Sequence, residues 1–153
     1  MSGYIGEFEC KVDDKGRTIV PAGLKRQIPK EALTRMVINR GFDKCLTLFT
    51  RKDWDNETKK LSKLSDFKRN DRKFKRLFNS GATEVKIDTA SRILLPKKLC
   101  TYAEIESEVA FYAYENKIEI WAKKVYEDQM EIDPDEYADL AEDVMGDDGD
   151  GEA

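Results

Sequence analysis

Arg17 and Arg92 stand in the same chemical setting twice over, in VDDKGRTIVP at 12–21 and again in IDTASRILLP at 87–96. Each arginine follows an aspartate by four positions, Asp13 and Asp88, and precedes three strand-type residues and a proline. An arginine leaving a tight turn projects from stiff backbone. Its planar fork can donate two hydrogen bonds to O6 and N7 of a guanine in the major groove, a discrimination of roughly 1–3 kcal/mol per base. Lys15 adds a donor or a phosphate contact beside the first arginine. Lys25, Arg26, Lys97 and Lys98 follow the two prolines on short helices, where contacts to phosphate would fix register. Asp13 and Asp88 are expected to hold their turns by accepting backbone N–H groups two residues on, and to orient the arginine by a charge-assisted bond. Gly16 tolerates positive φ in the first turn, and Ser91 takes that place in the second. The plainer alternative is that each arginine only closes its own loop on its aspartate; the two roles can coexist.

Other chemistries lack their residues. The chain has no histidine, no glycine-rich phosphate loop and no GxSxG. Cys10, Cys45 and Cys100 are an odd number at long spacings with no CxxC, which suggests reduced thiols rather than disulfides or zinc. No enzyme, metal, cofactor or small-molecule substrate is expected. The longest apolar run, VAFYAY at 109–114, is far too short to cross a bilayer, and MSGYIGEFEC has no leader pattern, so a cytoplasmic chain without a membrane partner is expected. A protein-binding module, such as an antitoxin or an assembly scaffold, is the competing reading from another class.

The elements that must carry the arginines repeat as well. With a shift of 75, Lys11 matches Lys86, Pro21 matches Pro96 and Leu24 matches Leu99. With a shift of 73, VINRGFDKCLTLF at 37–49 matches AFYAYENKIEIWA at 110–122. Each half therefore reads as a strand, a DxxxR turn, a short strand, a proline-initiated helix and a hairpin. Phe8, Cys10 and Val12 alternate with Glu9 and Lys11, the period of a strand with one face in the core. Asp43–Lys44 and Asn116–Lys117 suit the hairpin tips. Phe111, Tyr112, Tyr114 and Trp121 alternate as core or interface residues rather than base-stacking platforms.

Charge divides the chain. Of 27 basic and 31 acidic residues, positions 127–153 hold 13 acidic and no basic ones, so the first 126 residues carry 27 against 18, a body charge of +9. Such a body attracts polyanions, while residues 125–153 read as an acidic, disordered, solvated tail. The span 53–80 carries nine Lys or Arg with Leu61, Leu64, Phe67, Phe74, Leu77 and Phe78 at three- and four-residue steps, predicting one or two amphipathic helices that cover the sheets, capped by Asp53 or Asn56.

The doubled DxxxR pattern with its apolar run and proline, Trp54 opening a linker helix and KIEIW closing the second half together resemble the bacterial MraZ transcriptional regulators of the AbrB-like superfamily, from about Tyr4 to Lys124. The resemblance implies an α+β fold: a double-split, swapped-hairpin β-barrel built from two tandem repeats, here 4–52 and 81–124, joined by the helical linker 53–80. It also implies a ring-shaped homo-oligomer that binds double-stranded DNA at G-rich direct repeats upstream of the division and cell-wall genes. Such regulators repress their own operon, with the DxxxR turns carrying DNA binding. This sequence departs from the pattern at Ser91, where glycine is usual, and at Lys25 and Cys100, where an arginine follows the apolar residue.

Overall fold

The computed structural model describes residues 3–146. Among these residues eight strands and six α-helices follow in the order β1 (Tyr4–Lys11), β2 (Arg17–Ile19), α1 (Ala22–Lys25), β3 (Met36–Arg40), β4 (Leu46–Thr50), α2 (Arg51–Lys59), α3 (Arg69–Ser80), β5 (Thr83–Val85), β6 (Arg92–Leu94), α4 (Lys97–Ala103), β7 (Glu108–Glu115), β8 (Lys117–Ala122), α5 (Lys123–Met130) and α6 (Pro134–Ala141), with short 3-10 turns at Lys30–Ala32 and Lys60–Lys63. Six strands form one antiparallel sheet in the order β1-β7-β8-β4-β3-β5, and β2 pairs with β6 in a separate two-stranded sheet.

Among the described residues the only full ladders within a repeat are the hairpins β3–β4 and β7–β8. All the other ladders join one repeat to the other: β1 with β7, β5 with β3, β4 with β8, and β2 with β6. Neither half can satisfy its backbone hydrogen bonds alone, so the two are one cooperative unit. The ladders do not by themselves make a closed barrel. Single bridges, Val12 to Thr18 and Ile87 to Ile93, tie the outer strands of the large sheet to the small one. The halves are unequal, since β1 pairs along its whole length while its counterpart β5 is reduced to Thr83–Val85 where α3 ends.

The main core lies between the large sheet and the β2–β6 pair. Leu24 and Leu99 from the proline-led helices meet Ile38, Leu46, Phe111, Ile118 and Ile93 there. The outer face of the sheet is covered too, which is why β3 is buried on both sides. Val37, Phe49 and Trp54 pack with Phe78, and Cys45, Ala110, Trp121 and Tyr126 form a second patch under α5. As expected from their spacing, Phe111 and Trp121 are buried.

Three local expectations differ from the fold. The linker helix starts at Arg51, because Thr50 caps it by accepting from the Asp53 N–H at 3.1 Å, so neither Asp53 nor Asn56 is the cap. Of the linker's apolar residues, Phe78 packs on the sheet side while Phe67 is 97% and Leu77 52% exposed. At the β7–β8 tip the left-handed residue is Glu115, φ 49°, and not Asn116.

The acidic tail is helical rather than disordered over the part described. In α5 Tyr126 is buried, its hydroxyl donating to a Glu7 carboxylate. A reciprocal capping box between Asp133 and Glu136, with Pro134 in the first turn, starts α6. The chain then continues as a wider π-type turn at Glu142–Gly146. Positions 147–153 of the expected tail lie outside the described residues.

Candidate nucleic-acid interface

Both DxxxR segments fold into the same turn. In the first, Asp13 Oδ1 accepts from the N–H groups of Lys15 and Arg17, both at 2.9 Å, and Asp13 Oδ2 accepts from Arg17 Nε at 2.8 Å. In the second, Asp88 Oδ1 accepts from Ala90 at 2.9 Å and Arg92 at 2.8 Å, and Oδ2 from Arg92 Nε at 3.1 Å. The backbone closes each turn identically, Asp13 N–H to Arg17 O at 2.8 Å and Asp88 N–H to Arg92 O at 2.9 Å. These donors lower both carboxyl pKa values, the arginine backbone N–H being the largest cause in each case. Each aspartate thus stays ionised and anchors its arginine.

The aspartates use only one edge of each guanidinium. Nε is engaged, while Nη1 and Nη2 donate no hydrogen bond among the described residues, and the arginine side chains are 37% and 44% exposed. The salt bridge to each aspartate therefore leaves the Nη groups of both arginines without a partner among the described residues. The bond through Nε limits the rotamer freedom an exposed arginine would otherwise lose on binding and leaves Nη1 and Nη2 available to donate.

The β2–β6 register fixes the relation between the two forks. Arg17 lies opposite Leu94, and Ile19 opposite Arg92, about a centre at Thr18 and Ile93. The outer face of this ribbon therefore carries two arginines at diagonal corners and two exposed aliphatics, Ile19 and Leu94, at the others. Thr18 and Ile93 point inward and are buried.

Each turn is also held by the opposite repeat. Leu95 N–H donates to Gly16 O and Val20 N–H to Ser91 O, both at 2.8 Å. Gly16 has φ 87°, and a Cβ there would sit 3.2 Å from Leu95 O, so glycine suits both the conformation and the approach. Ser91 adopts the same left-handed conformation, φ 64°, despite its side chain. Its hydroxyl accepts from Lys25 Nζ at 2.8 Å.

Lys25 is therefore engaged in clasping the second turn, a use that sequence reasoning missed. The signal was present as two coincident departures, a serine at one turn and a lysine on the opposite helix. Lys15, Arg26, Lys97 and Lys98 are exposed, and Lys15 and Lys97 line a groove with Asp13, Gly16 and Leu94. The structure adds Lys86, which lines a groove with Arg17, Arg92, Asp88 and Leu94. Its match to Lys11 in the repeat was the available clue. Among the described residues no group of three His, Cys, Asp or Glu side chains is placed to hold a metal ion, and no helix is long and apolar enough to cross a membrane.

The fold and site define a class: two tandem copies of one β-rich unit, interlocked strand by strand, displaying paired aspartate-anchored arginines on a shared ribbon. Comparison with known proteins agrees with that twofold design. The family described as "MraZ protein, putative antitoxin-like" matches residues 4–77 and again 78–145. Three proteins called Transcriptional regulator MraZ are similar over nearly their whole length. That of Christiangramia forsetii is 42% identical over 97% of this chain and 96% of its own. Those of Flavobacterium psychrophilum and Cytophaga hutchinsonii are 37% and 34% identical, over 95% and 93% of this chain and 94% of theirs. The chain belongs to the MraZ family.

Proposed function

We propose that this chain is a DNA-binding transcriptional regulator that reads guanines through Arg17 and Arg92. One observation carries the reading: two matching turns leave the Nη edges of both arginines free on a single rigid ribbon. Diagonal positions in an antiparallel pair lie about 7–8 Å apart, roughly two base-pair steps of 3.4 Å, so one ribbon in the major groove could address two nearby guanines. Lys15, Lys86, Arg26, Lys97 and Lys98 are exposed and are the candidates for phosphate contact.

The finer reading follows the family resemblance. The single bridges at Val12–Thr18 and Ile87–Ile93 support closure of the two sheets into a swapped-hairpin barrel. The protein assembles as a ring of identical subunits, so that successive ribbons meet successive G-rich direct repeats, and represses its own division and cell-wall operon at the nucleoid in the cytoplasm. A closed ring requires a heterologous, head-to-tail contact between subunits.

The test is binding of the purified protein to its own upstream DNA across a salt series, wild type beside Arg17→Ala and Arg92→Ala. Affinity should fall steeply with salt, and each arginine variant should lose base preference worth about 1–3 kcal/mol per guanine contact. Weak binding indifferent to both arginines would overturn the reading in favour of a protein-binding module, the role that the family's antitoxin-like description suggests.

A further inference from the structure

Two surfaces are left unpartnered by the fold, and their chemistry is complementary. The first is a groove at the tip of the β3–β4 hairpin, walled by Gly41, Phe42, Phe74, Leu77, Phe78 and Tyr102. Phe42 is 83% exposed, with its ring 6.3 Å from that of Phe74 and 6.2 Å from that of Phe78. The groove is stiff. Asn39 Nδ2 donates to Phe78 O at 2.8 Å and Arg40 Nη2 donates to Leu77 O, which pins the end of α3 to the hairpin, and Tyr102 Oη of α4 donates to Gly41 O at 2.8 Å. On the helix that supplies Phe74, Leu77 and Phe78, Arg69, Lys73 and Arg76 recur at four- and three-residue steps and form an adjoining basic stripe. Their side chains make no hydrogen bond or ion pair among the described residues.

The second surface is the helical end of the chain. Every residue from Glu131 to Gly146 is exposed. Tyr137, Leu140 and Val144 recur at three- and four-residue steps, an apolar stripe with nothing against it. The same segment carries seven Asp or Glu and no Lys or Arg. An exposed aromatic and aliphatic stripe of this kind on a soluble chain marks a contact surface. The capping box and Pro134 prepare the helix before it binds, which lowers the ordering cost of docking.

We infer that α6 of one copy docks in the Phe42–Leu77 groove of a second copy, with Tyr137 and Leu140 entering the groove and the flanking carboxylates facing Arg69, Lys73 and Arg76. The donor and acceptor surfaces differ, so the contact is head-to-tail and leaves the opposite surface of each copy open for the next. None of the residues assigned to this contact belongs to the β2–β6 ribbon or its turns, so assembly and DNA contact draw on different side chains. The inference rests on the proposed self-association and specifies the surfaces that achieve it.

Light scattering of the full-length protein over a concentration series tests it, together with directed disulfides. Leu140→Glu and Leu77→Glu, both at exposed positions, should each raise the concentration needed for assembly by at least about tenfold while circular dichroism stays unchanged. Mixing a copy bearing Leu140→Cys with a differently tagged copy bearing Leu77→Cys should give a mixed disulfide that forms less readily at high salt. An assembled wild type with neither response would overturn this docking and leave self-association standing. A disulfide formed only within a doubly substituted chain of monomer mass would show the groove filled by its own helix, and would also overturn it. A wild type that stays monomeric throughout would remove the self-association reading itself, and the docking with it.

Discussion

Replacing Ser91 separates two opposed energies that the second turn combines. Ser91 holds a left-handed backbone, which costs a residue bearing Cβ about 1–2 kcal/mol, yet its hydroxyl takes the Lys25 ammonium at 2.8 Å. Lys25 is half-buried and can reach water once the partner is lost, so that bond is placed near the ordinary net value of about 0.5–1.5 kcal/mol. Ser91→Ala keeps the strain and loses the bond, and should be destabilised by about 0.5–1.5 kcal/mol. Ser91→Gly loses the same bond but also the strain, offset by about 0.4–1 kcal/mol of extra unfolded-chain entropy. It should therefore lie close to wild type and above the alanine variant by roughly 0.5–1 kcal/mol. Urea unfolding at fixed protein concentration measures the order, and Lys25→Met in each background completes a double-mutant cycle. The mirror change Gly16→Ala has no lysine bond to lose and should cost about 1–2 kcal/mol from conformation, plus crowding against Leu95 O. Equal stabilities for Ser91→Ala and Ser91→Gly would refute the claim of strain. No coupling between Ser91 and Lys25 would refute the clasp.

Acidity should loosen both turns. Folding lowers the Asp13 and Asp88 pKa values below their ordinary 3.8, so the stability they give is present above that value and is lost as pH falls through the folded ones. Urea midpoints measured from neutral to strongly acid pH should show the drop in wild type and a flatter curve in Asp13→Asn/Asp88→Asn; superimposable curves would exclude the aspartate anchors as its source. Thr18 should be replaceable by valine without loss. Among the described residues its buried hydroxyl meets no hydrogen-bond criterion and has only the weakly bonding Cys10 thiol beside it, while the equivalent position is Ile93, so Thr18→Val should be neutral or stabilising by up to about 1 kcal/mol, read by thermal melting. A melting point lowered by several degrees would mean that the hydroxyl has a partner.

What could be read from the sequence was what repeats or alternates. The DxxxR turns, the proline-led helices and the two hairpins were legible because each carries its own local chemistry: an aspartate that accepts nearby N–H groups, a proline at a helix start, apolar residues two apart. The pairing between repeats was not, because nothing local in β1 specifies β7 over its own neighbour. The acidic end misled for a different reason. Composition counts charge but not position, and the order that matters there lies in a few residues, Tyr126 at the sheet and Asp133 with Glu136 at a helix start. A signal did exist. RKDW at 51–54 and KKVY at 123–126 each follow the last strand of a repeat, and each puts a buried aromatic at the fourth helical position. Helix α5 is therefore the second repeat's counterpart of α2, and the repeat extends beyond Lys124.

The doubling has a mechanical meaning that one turn could not supply. A lone DxxxR hairpin would be a three-residue strand with unpaired edges and an arginine on a flexible support. Here the ladder of β2 is made with β6, the end of β1 adding only the single Val12–Thr18 bridge, and each turn's carbonyl, Gly16 O or Ser91 O, accepts from the strand leading into the other repeat's helix. Loosening one turn must therefore disturb the other. A double-mutant cycle between Gly16→Ala and Ser91→Ala should show coupling of about 0.5–3 kcal/mol, although the two positions lie 75 residues apart in sequence. Strict additivity would mean that the turns are independent hairpins sharing a sheet, and the stiffness assigned to the paired arginines would then have no structural source.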